Sequence, residues 1–273
     1  MPGDCMKCRK QCLKWNGVIP MDTTYIENQI EQLKKAIYRQ VEHRTLVKYT
    51  GDPLVDENQL FYLLLPLLNG DHWDEENYEG VIAVGIVEAS LAEHSYIDEH
   101  DATSKVQQLT VLSGDYYSGR FYEILANSGN ISLIRELSES VILRSEHEIR
   151  IYEPNRYAID DWLETLTIIE TECISRFYQL YNYNHYLYIM KKHLLILRLQ
   201  NELLNYREGN SSLLLQKMME SFQRSEDMNF EHYLQNKIDG LVHQLRELLR
   251  TSSMKSELKR YIEERLIRES KER

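Results

Sequence analysis

The sequence predicts an all-helical protein folded as one bundle of about nine or ten helices, and three observations carry that expectation. Turn residues are scarce, with 11 Gly and 5 Pro in 273 residues, about half of ordinary usage. Apolar residues recur at steps of three and four along most of the chain, the period of a helix with one buried face. No stretch of useful length alternates with the period of two that a strand needs.

The elements follow in chain order. Residues 1–22 read as a loose basic tail carrying Lys7, Arg9, Lys10 and Lys14. Its Cys5, Cys8 and Cys12 could bind a soft metal, but a closed zinc site wants four ligands, and reduced thiols are the simpler expectation. The tail lacks the apolar stretch of a secretion signal. The first helix begins after Asp22 or Thr23, with Ile26, Ile30, Leu33 and Ile37 on its inner face, and breaks at Thr50-Gly51-Asp52-Pro53. The second carries Leu60, Leu64 and Leu67, has Pro66 near its end, and stops at the Asn69-Gly70-Asp71 turn. A longer helix spans about 75–98, where Val84, Val87, Leu91, His94 and Asp98 share one face. His94 and Asp98, four apart, read as a hydrogen-bonded pair at the rim of the core.

The next helix covers 105–127 and contains VLSGDYYSGRFYEIL at 111–125. Gly114 and Ser118 are four apart, as are Asp115 and Gly119. Glycine inside a helix costs about 1 kcal/mol against Ala, so close packing or a ligand must offset it. Asp115, beside Gly114 in an apolar-faced helix, is expected to be partly buried. Gly129-Asn130 ends the segment. Ile131 to Tyr152 form a helix with Ile134, Leu137 and Val141 inward, stopped by Pro154. Asp160 or Asp161 opens the following one, with Trp162, Leu166, Ile169, the core thiol Cys173 and Phe177 in register. After a Tyr- and Asn-rich stretch at 178–188, Met190, Leu194, Leu197 and Leu204 mark another helix. Gly209-Asn210 breaks it, and three apolar-faced segments follow near 211–224, 230–250 and 254–270. No fixed-period repeat or linker divides the chain, so residues 23–273 are expected to form one domain.

Charge narrows the function. The formal net charge is -11, which disfavours a nucleic-acid binder because phosphate contact needs a positive surface. No apolar run approaches the roughly 20 residues of a membrane span. From Asp52 through Asp101 there are thirteen Asp and Glu and no Lys or Arg, whereas residues 235–273 hold ten Lys and Arg against seven acids. The acidic stretch stays solvated or meets a basic partner or a metal.

The segment QQLTVLSGDYYSGRFYEILANSGNISLIRELSESV, residues 107–141, resembles the small subunit, component I, of bacterial heterodimeric heptaprenyl diphosphate synthases. The likeness runs on through SEHEIRIYE at 145–153 and DWLETLTIIETECISRF at 161–177, and includes VEASLAEHSYID at 87–98. It covers residues 25 to about 225, loosest past 180. The GDY element is also similar to one in the catalytic trans-prenyl diphosphate synthases, all-helical bundles whose two D-D-x-x-D motifs hold Mg2+ on an allylic diphosphate.

The catalytic pattern is missing here. Its nearest first motif is Asp98-Glu99-His100-Asp101, followed by Lys105 and no Arg pair. Its nearest second motif, Phe222-Gln223-Arg224-Ser225-Glu226-Asp227, runs into Met228-Asn229-Phe230. The resemblance therefore implies no catalytic residue and no metal ligand in this chain. It implies a cytoplasmic accessory subunit, at the membrane only through its lipid product, of an all-trans heptaprenyl or hexaprenyl diphosphate synthase serving the menaquinone side chain. A large subunit with the D-D-x-x-D motifs and their Mg2+ would condense isopentenyl diphosphate onto farnesyl diphosphate. On that reading the residues expected to meet the partner or shape its cavity are Val84, Val87, Leu91, His94 and Asp98 on one helix. On the next they are Leu112, Gly114, Asp115, Tyr116, Ser118, Gly119 and Tyr122. The competing readings are a stand-alone prenyl or terpene synthase with degenerate metal motifs and a helical scaffold unrelated to isoprenoids.

Overall fold

A computed structural model describes residues 21–95, 104–154, 157–210, 212–222 and 229–268. Among the described residues are eleven α-helices and no strand. They are α1 (Thr23–Val41), α2 (Arg44–Thr50), α3 (Glu57–Asn69), α4 (Glu75–Ser95), α5 (Lys105–Ser128), α6 (Ile131–Ile149), α7 (Ile159–Leu180), α8 (Leu187–Arg207), α9 (Leu213–Phe222), α10 (Phe230–Thr251) and α11 (Ser256–Arg268). The additional helix is α2: the chain leaves the helical path at Glu42 and His43, so the first expected helix is two. Single 3-10 turns follow α6 and precede α8. The cluster of Cys5, Cys8 and Cys12, together with Asp98, Asp101, Glu226 and Asp227, lies outside the described residues.

The ends are set by side chains suited to them. Asp22, Asp56, Ser104, Asn130 and Asn229 each accept a hydrogen bond from a first-turn backbone N–H of the helix they precede. They satisfy donors that have no partner inside the helix. Gly70 and Gly129 close α3 and α5 in the left-handed conformation, which costs glycine little.

Consecutive helices pack as neighbours, α4 on α5, α6 on α7 and α7 on α8, and α8 also packs on α10. At the centre stands α4. The stripe expected through Val84, Val87 and Leu91 is buried, but so is every residue from Gly80 to Leu91. The helix is enclosed on all sides, as befits a run that is apolar all round. Over it α1 crosses so closely at Gly85 that a Cβ there would come within 2.3 Å of Ile37 Cδ1.

Pro66 lies within α3. It has no N–H for the carbonyl of Tyr62 one turn back. The hydroxyl of Tyr178, from α7, donates to that carbonyl instead. The backbone group freed by the proline is thereby paired inside the core, as buried carbonyls require.

Candidate functional site

Helix α5 has two faces with different uses. Inward lie Thr110, Ser113, Gly114, Tyr117, Phe121 and Leu125, all buried. The small residues among them let α4 approach. Ser90 Oγ donates to the Gly114 carbonyl at 2.8 Å and lies 2.8 Å from Ser118 Oγ. The imidazole of His94 covers Gly114 so closely that a Cβ there would fall 2.5 Å from its Nε2. Gly114 and Ser118 thus serve contact within this chain. Burial, with Glu93 beside it, pushes the Tyr117 hydroxyl up to about 12.

Outward lie Leu112, Asp115, Gly119 and Tyr122, at steps of three and four. Leu112 is 53% exposed and Tyr122 is also open to solvent. A Cβ at Gly119 would meet nothing within 4 Å. Asp115 is not partly buried as expected: its side chain is 67% exposed. The His94 imidazole lies beside it, with Nε2 3.6 Å from Oδ1, while Asp98, its expected partner, lies outside the described residues. Arg120 turns away to the Gln40 carbonyl at 2.8 Å and to Glu123. Tyr116 tilts against the His43 ring, with centroids 5.6 Å apart.

The outer face continues onto α6. Tyr122 Oη and Ser138 Oγ are 2.9 Å apart and join the two helices. Beyond that seam Ile131, Ile142 and Ile149 stand in solvent, Ile142 at 60% exposure. Residues Leu133, Leu137, Ser140, Arg144 and His147 turn inward, while Ile134 and Val141 are only half-buried. The sequence reading missed these outer isoleucines. Their signal was the seven-residue step from Ile142 to Ile149, on the side opposite Leu137 and Arg144.

Two ion-pair groups, also unforeseen, tie the helices together, the first of them buried. Arg144 of α6 donates to Glu88 of α4 and, at 3.0 Å, to Glu148. Gln59 Nε2 sits 3.4 Å from the same Glu88 carboxylate. Burial would favour a neutral Arg144, but Glu88 and Glu148 outweigh it and hold its pKa above the usual value. Burial pushes Glu88 up, partly offset by Arg144. Nearer the surface, Arg198 of α8 bridges Glu170 of α7 at 2.9 Å and Glu202 at 2.9 Å, with its own side chain about a third exposed. Cys173 is fully buried, and burial raises its thiol well above the ordinary range.

These groups hold helices together and offer no obvious chemistry. Among the described residues no three His, Cys, Asp or Glu converge as metal ligands, and no helix is long and apolar enough to cross a membrane. Two clefts at the far end of α4 are lined by Glu75, Glu76, Glu79, Asn130 and Tyr181 among others. Such polar walls do not suit a hydrocarbon chain.

A sequence profile of the family "Heptaprenyl diphosphate synthase (HEPPP synthase) subunit 1" matches residues 43–249. Heptaprenyl diphosphate synthase component 1 of Geobacillus stearothermophilus is 32% identical over 96 residues, which are 35% of this chain and 44% of that protein. The match thus spans less than half of that relative's length. The solved geranylgeranyl pyrophosphate synthase of Lactobacillus brevis ATCC 367 superimposes with a TM-score of 0.64 at 13% identity, over 90% of this chain and 97% of the other. The polyprenyl synthetase of Streptomyces coelicolor A3(2) does so with a TM-score of 0.55 at 12% identity, over 91% and 99%. At such identities the likeness shows the fold: the all-helical bundle of the polyprenyl synthases.

Proposed function

The chain belongs to the heptaprenyl diphosphate synthase subunit 1 family, and from that premise we propose that it is the accessory subunit of a heterodimeric all-trans prenyl diphosphate synthase. A large subunit bearing the D-D-x-x-D motifs condenses isopentenyl diphosphate onto farnesyl diphosphate with Mg2+. The heptaprenyl or hexaprenyl product supplies the menaquinone side chain. No step of that chemistry is assigned to residues of this chain.

The observation that carries the reading is the apolar outer face of α5 and α6. Leu112, Tyr122, Ile142 and Ile149 leave large side chains in water on adjoining helices. Gly119, on the same side of α5, has open space where a side chain would stand and permits close approach of another helix. Contiguous exposed apolar surface on a folded chain marks a place where another molecule sits. Tyr122 and Ser138 join the two helices across this side. Enclosed α4 cannot contribute Val84, Val87 and Leu91 to it, so the interface shifts from the expected α4–α5 pair to α5–α6. The interior supports the same division of labour. The buried pair Glu88–Arg144 lies inside the bundle between α4 and α6, and a hydrocarbon chain is poorly served there. The growing tail therefore belongs to the large subunit, with this chain closing its surroundings from outside.

Assembly tests this reading. Ile142→Glu and Leu112→Glu each place a charge at the centre of the face without touching the core. Each is expected to weaken the heterodimer by about 100-fold, the cost of about 3 kcal/mol typical of a central interface position. Circular dichroism of the isolated chain should not change. Unaltered affinity in both variants contradicts the assignment.

A further inference from the structure

We draw no further inference here: the strongest candidate, the acidic cleft at the start of α4 lined by Glu75, Glu76, Glu79 and Asn130, is a cluster of carboxylates whose buried Asn130 is already paired with Glu76 and Tyr181, so nothing in the structure points to a ligand there.

Discussion

Gly114 and Gly119 stand five residues apart on one helix and should respond oppositely to the same change. Alanine favours a helix over glycine by about 1 kcal/mol. At Gly119 the new methyl meets nothing within 4 Å, so Gly119→Ala should raise the stability of the isolated chain by about that amount. At Gly114 it would lie 2.5 Å from His94 Nε2, and the imidazole must move off Asp115 and out of its seat. Gly114→Ala should cost about 1–2 kcal/mol despite the better propensity. Urea denaturation of both variants checks the contrast, and equal shifts would refute it. A second residue-scale expectation concerns pH. His193 is fully buried, with Nδ1 2.8 Å from Tyr62 Oη and no partner at Nε2. Burial, with Arg265 nearby, pushes it down from 6.5 to about 3. The unfolded chain takes up a proton below 6.5 that the folded chain refuses, so this contribution is whole above 6.5 and falls as the pH drops toward 3. The slope approaches about 1.4 kcal/mol per pH unit. His193→Gln should flatten stability against pH over that window. An unchanged slope would show that His193 is not kept neutral.

At the scale of elements, α3 and α7 depend on each other through one hydrogen bond. Tyr178→Phe removes only the hydroxyl that pairs with the Tyr62 carbonyl freed by Pro66. The carbonyl is then buried without a partner, and the cost should be about 1–3 kcal/mol. If Pro66→Ala is made as well, an amide N–H returns to that carbonyl and the penalty of Tyr178→Phe should shrink. A penalty that is the same in both backgrounds would contradict this pairing. Such couplings also mark how far the sequence could be read. Most helix bounds were legible, because caps such as Asp22 and Asn130 and stops such as Gly70 and Gly129 act locally. The direction in which a helix faces was less so. In α4 a stripe through Val84, Val87 and Leu91 is real, but any segment apolar all round contains such a stripe, and only packing reveals that it is enclosed. In α5 the small residues correctly signalled close approach. Small size does not say which neighbour approaches, and Gly114 and Ser118 turn out to receive α4 while Gly119 faces outward. The contact of His94 with Asp115 crosses from α4 to α5, and spacing along one helix does not reveal such a contact. In α6 the buried Arg144 could not be read, since its burial depends on Glu88 from a different helix.

At the scale of the whole molecule, this chain keeps the bundle of the polyprenyl synthases while its interior is given to packing and ion pairs. Arg144 links α6 to α4, Arg176 links α7 to Glu136 and Glu139 of α6, and Arg198 links α8 to α7. The elements that carry the exposed isoleucines are therefore held rigidly from within, which suits a surface meant to bind without rearranging. The central claim is that this chain supports prenyl elongation only in the company of a large subunit. The most direct test is product analysis with farnesyl diphosphate, isopentenyl diphosphate and Mg2+, using this chain alone, the large subunit alone and the two together. The account predicts long-chain prenyl diphosphate from the mixture and none from this chain alone. Metal-dependent condensation by this chain alone, or product from the large subunit that is the same in amount and length with and without it, would contradict the account.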